Sequence, residues 1–198
     1  IRGGLGEVNV VASMIFGGIS GSSVADTSAL GSILIPDMVR KGYPLGFSAG
    51  ITVASSTIGM IIPPSVPMLM YAMVSGASVG KLFLAGLLPG VLVGLTQLIL
   101  TYVISRRNGY HPPRERTSLR AAAKVTKDGA LAVLMPLLII VSVSGGVATA
   151  SESAGVAVLY AAVLGFFVYR ELKWHDVLKA LKKTFMMSSS IMIIGGFT

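Results

Sequence analysis

Two small-residue stretches hold most of the groups in this 198-residue chain that are suited to gripping an ion. They are residues 17–32 (GGISGSSVADTSALGS) and 54–65 (ASSTIGMIIPPS). In the first, Ser20-Gly21-Ser22-Ser23 offers hydroxyls and turn carbonyls. These are hard oxygen ligands that replace the hydration shell of an alkali cation, and glycine permits the backbone angles of a tight turn. Ser23-Val24-Ala25-Asp26 has the S-x-x-D form of a capping box, which predicts Ser23 as N-cap and Asp26 at the third helical position. An acid at membrane depth is costly, so Asp26 is also a candidate for tuning a cation site.

In the second stretch, Pro63 and Pro64 remove two amide donors and stop a helix, exposing the carbonyls of residues 59–62. Ser55, Ser56, Thr57, Gly59 and Ser65 flank the break. Ser65 before Val66-Pro67 reads as the cap of a new half-helix, whose positive end would face an anionic group. A carbonyl cluster for a cation thus lies beside a helix end for an anion.

The elements around these stretches are built for lipid. Apolar residues, with Gly counted and Tyr set aside, make up roughly 62% of the chain against about 45–50% in soluble domains. Mean hydropathy is +0.80 and 12% of residues are charged. Hydrocarbon satisfies no free carbonyl or amide, so broken helix at membrane depth survives only where protein or a polar cavity covers it. Such breaks mark transport sites.

The net charge of +8 falls into short blocks between apolar runs, as the positive-inside rule expects of cytoplasmic loops. The blocks are Arg40-Lys41; Arg106, Arg107, Arg114, Arg116, Arg120, Lys124 and Lys127; and Arg170, Lys173, Lys179, Lys182 and Lys183. No basic face is interleaved with aromatics, so nucleic acid is not an expected partner. An even number of crossings must separate the blocks. Residues 44–75 (interrupted at Pro63-Pro64) with 82–104, and then 131–147 with 154–169, supply them. Turns at 76–80 and 148–152 face the periplasm or exterior.

Upstream, Arg2 and Arg40-Lys41 should share a side, so residues 8–38 enter and return. Arms of residues 8–19 and 25–38 measure about 18–21 Å as helix, short of the ~30 Å core, which predicts a re-entrant hairpin.

The predicted fold class is an all-α polytopic membrane protein with a re-entrant helical hairpin and discontinuous transmembrane helices. Residues 1–105 hold the hairpin, the broken helix and the following span; 106–128 form a cytoplasmic basic loop. Residues 129–170 form a helix pair, 171–183 a cytoplasmic amphipathic segment and 184–198 the start of a further span. Within the loop, Asn108-Gly109 and Pro112-Pro113 signal turns, and residues 118–124 suit a short surface helix. Trp174 stands where an interfacial aromatic anchor would. Both ends look cut from a longer protein.

Other patterns have structural readings. Gly86, Gly90 and Gly94 are G-x-x-x-G steps that admit a neighbouring helix. Thr149-Ala150-Ser151-Glu152 fits a capping box. Met186, Met187 and Met192 suit lipid or core rather than metal, and no transition metal or cofactor is expected. The chain has no cysteine, which excludes disulfides and thiol chemistry within it. Gly18-Ile19-Ser20-Gly21 matches the G-x-S-G of serine hydrolases, but the only histidines, His111 and His175, lie in basic loops away from any such serine. The chain therefore reads as a non-enzyme, with intramembrane protease a weak alternative. A passive channel is the stronger rival, since carbonyl sites also build selectivity filters.

Taken in order, Gly3-Gly4-Leu5, GISGSSVADTSALGSILIPDM, Lys41-Gly42-Tyr43, ASSTIGMIIPPSVPMLMYA and LFLAGLLPG resemble the large membrane subunit of the tripartite ATP-independent periplasmic (TRAP) transporters. The likeness continues more weakly at Thr149-Ala150-Ser151-Glu152-Ser153-Ala154, where the family often has T-P-T-E-A-A. The resemblance implies the middle half or so of an inverted-repeat, elevator-type carrier in a bacterial or archaeal inner (cytoplasmic) membrane. Such a carrier imports a small organic anion, a carboxylate such as a C4-dicarboxylate or sialic acid, with Na⁺ as coupling ion. It also implies two partners besides membrane lipid: a small TRAP membrane subunit and a periplasmic substrate-binding protein. Carried over by residue, the sodium ligands fall on Ser20, Ser22, Gly59, Ile62 and Pro64. Gly21, Ser23, Asp26, Ser56, Thr57, Pro63 and Ser65 are the accompanying substrate-binding or site-shaping residues. A second hairpin and second sodium site are expected outside these residues.

Overall fold

The computed structural model describes residues 4–110 and 119–196. In chain order the helices are α1 (Gly4–Ser20), α2 (Ser23–Arg40), α3 (Leu45–Ser56), a 3₁₀ turn (Thr57–Met60), α4 (Val66–Ser75), α5 (Val79–Arg107), α6 (Leu119–Ser144), α7 (Ala150–Val163), a π turn (Leu164–Val168) and α8 (Trp174–Gly196). No strand occurs among the described residues, which agrees with the all-α expectation. Among the described residues, two segments are long and apolar enough to cross a bilayer: Val79–Arg107 (29 residues) and Ala150–Val168 (19 residues). Gly4–Ser20, Leu45–Met60, Val66–Ser75 and Gly129–Ser144 are shorter apolar helices.

Compact units comprise residues 1–154 and 155–198. In the first, α1 packs against α2, α3 and α5, and α4 and α6 also pack on α5. Val10, Met38, Tyr43, Ile51, Ile58 and Ile62 form its buried apolar cluster. A polar seam crosses it. Asn9 Nδ2 donates to Thr52 Oγ1 at 2.7 Å, and the Ser13 and Ser55 hydroxyls are 2.7 Å apart. All four side chains are fully buried. Between apolar helices in lipid there is no hydrophobic drive to associate, so close packing and hydrogen bonds of this kind hold them together. At one end of the unit, Phe47 stacks on Tyr43 with ring centroids 6.0 Å apart and meets Tyr110 at 5.2 Å. The end of α5 is thereby tied to the start of α3.

Several helices are longer than the sequence predicts. The hairpin arms have 17 and 18 residues, or about 26 and 27 Å. The second arm continues through Pro36 to a C-terminal turn in which Lys41 pairs with Asp37 at 3.5 Å. Position 119, near the expected surface helix, instead begins α6, which runs on unbroken to Ser144. Gly109 makes its predicted turn at φ +69°; His111 and Pro112-Pro113 lie outside the described residues.

The Thr149–Glu152 capping box forms in both directions. The Thr149 amide donates to Glu152 Oε2 at 2.8 Å and the Glu152 amide to Thr149 Oγ1 at 3.3 Å. In the second unit, the Gly165 carbonyl accepts the amides of Glu171 and Leu172, closing the π turn. Trp174 is exposed and 6.4 Å from Phe166. The basic amphipathic stretch and the apolar run after it are one helix, α8. Asp176 caps its start through the Lys173 amide, and no glycine or proline interrupts it before Gly195.

Candidate functional site

The hairpin tip sits on the broken helix. α1 ends at Ser20, Gly21 turns the chain at φ +62°, and Ser22 takes the extended conformation of an N-cap, φ −139° and ψ 116°, accepting the Ala25 amide at 3.5 Å. The expected Ser23 cap is therefore wrong by one residue. The left-handed turn at Gly21 is complete one position earlier than the S-x-x-D pattern places it. Asp26 then falls one position past the capping site, and its Oδ1 accepts the Ser20 hydroxyl instead. Asp26 is fully buried and its Oδ2 has no hydrogen-bond partner. Ser20 Oγ also accepts the Ser22 amide at 3.2 Å, which closes the tip on itself.

The other partner departs from α-helix before its prolines. α3 stops at Ser56 and tightens into the 3₁₀ turn. Hydroxyls help to end it: Ser56 Oγ donates to the Thr52 carbonyl and Thr57 Oγ1 to that of Ala54, each at 2.7 Å. Ile61 and Ile62 both donate to the Ile58 carbonyl, at 2.9 and 2.8 Å. The Pro63-Pro64 bond is cis. Ser65 then caps α4 as predicted, accepting the Met68 amide at 3.4 Å while its hydroxyl donates to the Met60 carbonyl at 2.6 Å.

The fate of each carbonyl follows from these bonds. Four residues beyond Gly59 and Met60 stand Pro63 and Pro64, which have no amide to return. Ser65 compensates Met60. Four residues beyond Ile62 is Val66, whose amide donates instead to the Gly21 carbonyl of the tip at 3.2 Å. Gly59 and Ile62 are thus deprived of their helical donors by two different causes.

Contact between tip and break is main chain against main chain. A Cβ on Gly17 would lie 2.5 Å from Gly59 Cα, and one on Gly21 would lie 2.6 Å from the Pro64 carbonyl oxygen. A Cβ on Gly59 would strike Asp26 Oδ2. Ser20, Gly21, Ser22 and Asp26 are in this way brought together with Gly59, Ile62, Pro63, Pro64 and Ser65. Ser23 touches Met60, its Oγ 3.5 Å from the sulfur. Ser56 is turned back on its own helix. Thr57 lines a neighbouring open groove of about 350 Å³ with Ser23, Val24, Thr27, Ser28 and Val53.

Sequence reasoning missed Gly17, the Val66 amide, the groove residues Thr27, Ser28 and Val53, and the polar seam. Only the seam had a legible signal. Asn9 and Ser13 are four apart, and Ser48, Thr52 and Ser55 follow at steps of four and three, a helical period of polar side chains.

Known proteins resemble the chain over nearly its whole length. The family model described as "Tripartite ATP-independent periplasmic transporter, DctM component" matches residues 1–196. The chain is 39% identical over 194 residues to the C4-dicarboxylate TRAP transporter large permease protein DctM of Pseudomonas aeruginosa, covering 98% of this chain and 45% of that protein. It is also 39% identical over 197 residues to the sialic acid TRAP transporter large permease protein SiaM of Vibrio cholerae, covering 98% and 46%. Identity to the isethionate TRAP transporter permease protein DctMQ of Oleidesulfovibrio alaskensis is 36% over 172 residues, covering 87% and 27%. The chain spans about half the length or less of these relatives. On the family match and these identities, the chain belongs to the DctM family, the large permease component of TRAP transporters, a family of transporter permeases and not of enzymes.

Proposed function

We propose that the chain is part of a sodium-coupled importer of a small organic anion, in which a cation binds between the hairpin tip and the broken helix. The supporting observation is the tip-to-break contact itself. The Gly21–Val66 main-chain bond engages the donor that Ile62 would otherwise receive, and Pro63 deprives Gly59. Two carbonyls, the Ser20 and Ser22 hydroxyls and the Pro64 carbonyl against Gly21 then form an oxygen-rich set of the hardness an alkali cation prefers. Asp26 holds Ser20 from behind and contributes the negative charge.

The carried anion is a carboxylate or a similar acid, as in the C4-dicarboxylate and sialic acid relatives. Thr27 and Ser28 of the adjoining groove present hydroxyl donors to its polar groups, beside Ser23 and Thr57. A periplasmic binding protein delivers it, a small membrane subunit accompanies the permease, and the complex sits in the inner membrane. The hairpin is re-entrant, and the loaded unit moves across the bilayer as an elevator. One charge crossing 100 mV contributes about 2.3 kcal/mol to that movement.

The test is uptake of a labelled C4-dicarboxylate or sialic acid by proteoliposomes holding the full-length permease, its small subunit and its binding protein. An inward sodium gradient is compared with an inward potassium gradient. Uptake that requires both sodium and binding protein is expected. Uptake indifferent to sodium would overturn the coupling, and single-channel currents in a planar bilayer would replace the carrier with a channel.

A further inference from the structure

We propose that Gly90 of α5, assisted by Gly86, is a positioning residue for the cation site: it is the seat that holds the Ile61–Ile62 main chain in place. This rests on the sodium reading above. The small-residue pattern on α5 invites a packing explanation, and its three glycines do different things. The three atoms nearest a Cβ on Gly94 all belong to the side chain of Met14, with the sulfur at 2.5 Å. Met14 is unbranched and free to swing aside. A Cβ on Gly90 would lie 2.5 Å from Ile62 Cγ1, 3.3 Å from the Ile62 amide nitrogen and 3.4 Å from its Cα. A Cβ on Gly86 would meet the Ile61 carbonyl oxygen at 2.7 Å and crowd the end of the Met68 side chain.

α1 approaches Ile62 as well. The Cβ position of Gly18 on α1 lies 3.8 Å from Ile62 Cγ2 and 3.6 Å from the Pro63 carbonyl oxygen. Two of the three atoms nearest an added methyl at Gly90 are main chain, the Ile62 nitrogen and Cα, and the third is the Cγ1 next to them. The β-branched Ile62 has few rotamers to retreat into, so its main chain must move, and its carbonyl with it. Binding constellations tolerate about 0.5 Å of such movement.

Saturable binding of radiolabelled sodium to the purified full-length permease tests this without knowledge of the transported anion. Gly90→Ala is expected to weaken sodium binding about tenfold, while Gly94→Ala stays within about twofold of wild type. The deciding variant is the double Gly90→Ala/Ile62→Ala. Truncating Ile62 keeps its carbonyl but removes the atom the new methyl strikes, so binding should return to within about threefold of wild type. Thermal stability in detergent is read on the same samples: sodium binding in Gly90→Ala should fall by more than any loss of stability accounts for, and a loss of binding that only follows lost stability would overturn the inference.

Where Gly90→Ala does not purify folded, Ile62→Ala alone is compared with the double variant, and the added methyl should tighten binding by filling the vacated space. Unaltered sodium binding in Gly90→Ala, or no rescue in the double variant, would overturn the inference while leaving the sodium reading intact. Absence of saturable binding in the wild type would instead remove the sodium reading on which the inference stands.

Discussion

Substituting Gly17 by Ala places one methyl group at the tightest crossing between hairpin and broken helix. Its Cβ would fall 2.5 Å from Gly59 Cα and 3.0 Å from the Gly59 nitrogen. Non-bonded carbons settle at about 3.5–4.0 Å, so the two main chains must part by about 1 Å. Neither side has a rotamer to change, because both atoms struck belong to backbone. Overpacking of this kind costs about 1–3 kcal/mol. If the strain is relieved by opening the docked arrangement, sodium affinity falls by the same free energy, roughly 5- to 150-fold.

The assay is the sodium concentration for half-maximal uptake in proteoliposomes, read at matched protein content. Gly50→Ala on α3 is the control, since nothing lies within 4 Å of the Cβ it would add. A Gly17→Ala protein that accumulates normally and shows the sodium dependence of Gly50→Ala would refute the reasoning, for the contact would then carry no part of the site.

Substitutions at four further positions separate the roles assigned above. Ser22→Ala and Ser22→Gly both remove the hydroxyl, but only Ala forfeits the N-cap, at about 1 kcal/mol; both should raise the sodium requirement, and only Ala should lower thermal stability in detergent. Asp26→Asn keeps an oxygen to accept the Ser20 hydroxyl, so protein yield should hold while sodium affinity drops about tenfold, near 1.4 kcal/mol; unchanged affinity would remove the carboxylate from the site. Pro63→Ala supplies an amide four residues past Gly59, which competes for that carbonyl; sodium affinity should fall without loss of thermal stability, and a gain in affinity would contradict the carbonyl argument. Asn9→Ala leaves the buried Thr52 hydroxyl without its 2.7 Å donor and should lower stability by about 1–2 kcal/mol in a denaturation series, with little change in sodium dependence.

The two halves of the site were legible in sequence because lipid makes anomalies conspicuous. A run such as Ser20-Gly21-Ser22-Ser23, or Pro63-Pro64 amid isoleucines, has no reason to stand in an apolar chain unless protein covers it. What joins them was not legible. Gly17 and Gly59 are 42 residues apart, and nothing local marks either as the partner of the other. The Val66 amide belongs to the main chain, so residue type is silent about where it points. The one-residue error at the α2 cap has the same origin: Ser22 and Ser23 are equally good caps by type, and only the positive φ of Gly21 decides between them. The early end of α3 was missed because hydroxyls back-bonded to carbonyls are common in helices that continue.

The hydrogen bond from Val66 to Gly21 connects docking with ligand chemistry more closely than a shared location does. In an uninterrupted helix the Val66 amide would satisfy Ile62; here the same donor satisfies the hairpin tip, 3.2 Å away. An unsatisfied carbonyl in a water-free site is costly, on the order of 1–3 kcal/mol. The tip thus holds the donor that would silence Ile62, and the Ile62 carbonyl is left over beside a tip that also carries the Ser20 and Ser22 hydroxyls. Under the proposed reading, a cation entering there satisfies the oxygens that the hairpin contact leaves without donors. Its binding free energy then counts toward keeping tip and break together, because either partner alone lacks half of the oxygen set. Coupling between ion and transported anion requires that kind of dependence: a ligand shifts a conformational equilibrium only by its differential affinity for the two states. A set of ligands divided between two elements supplies such a difference without any further moving part.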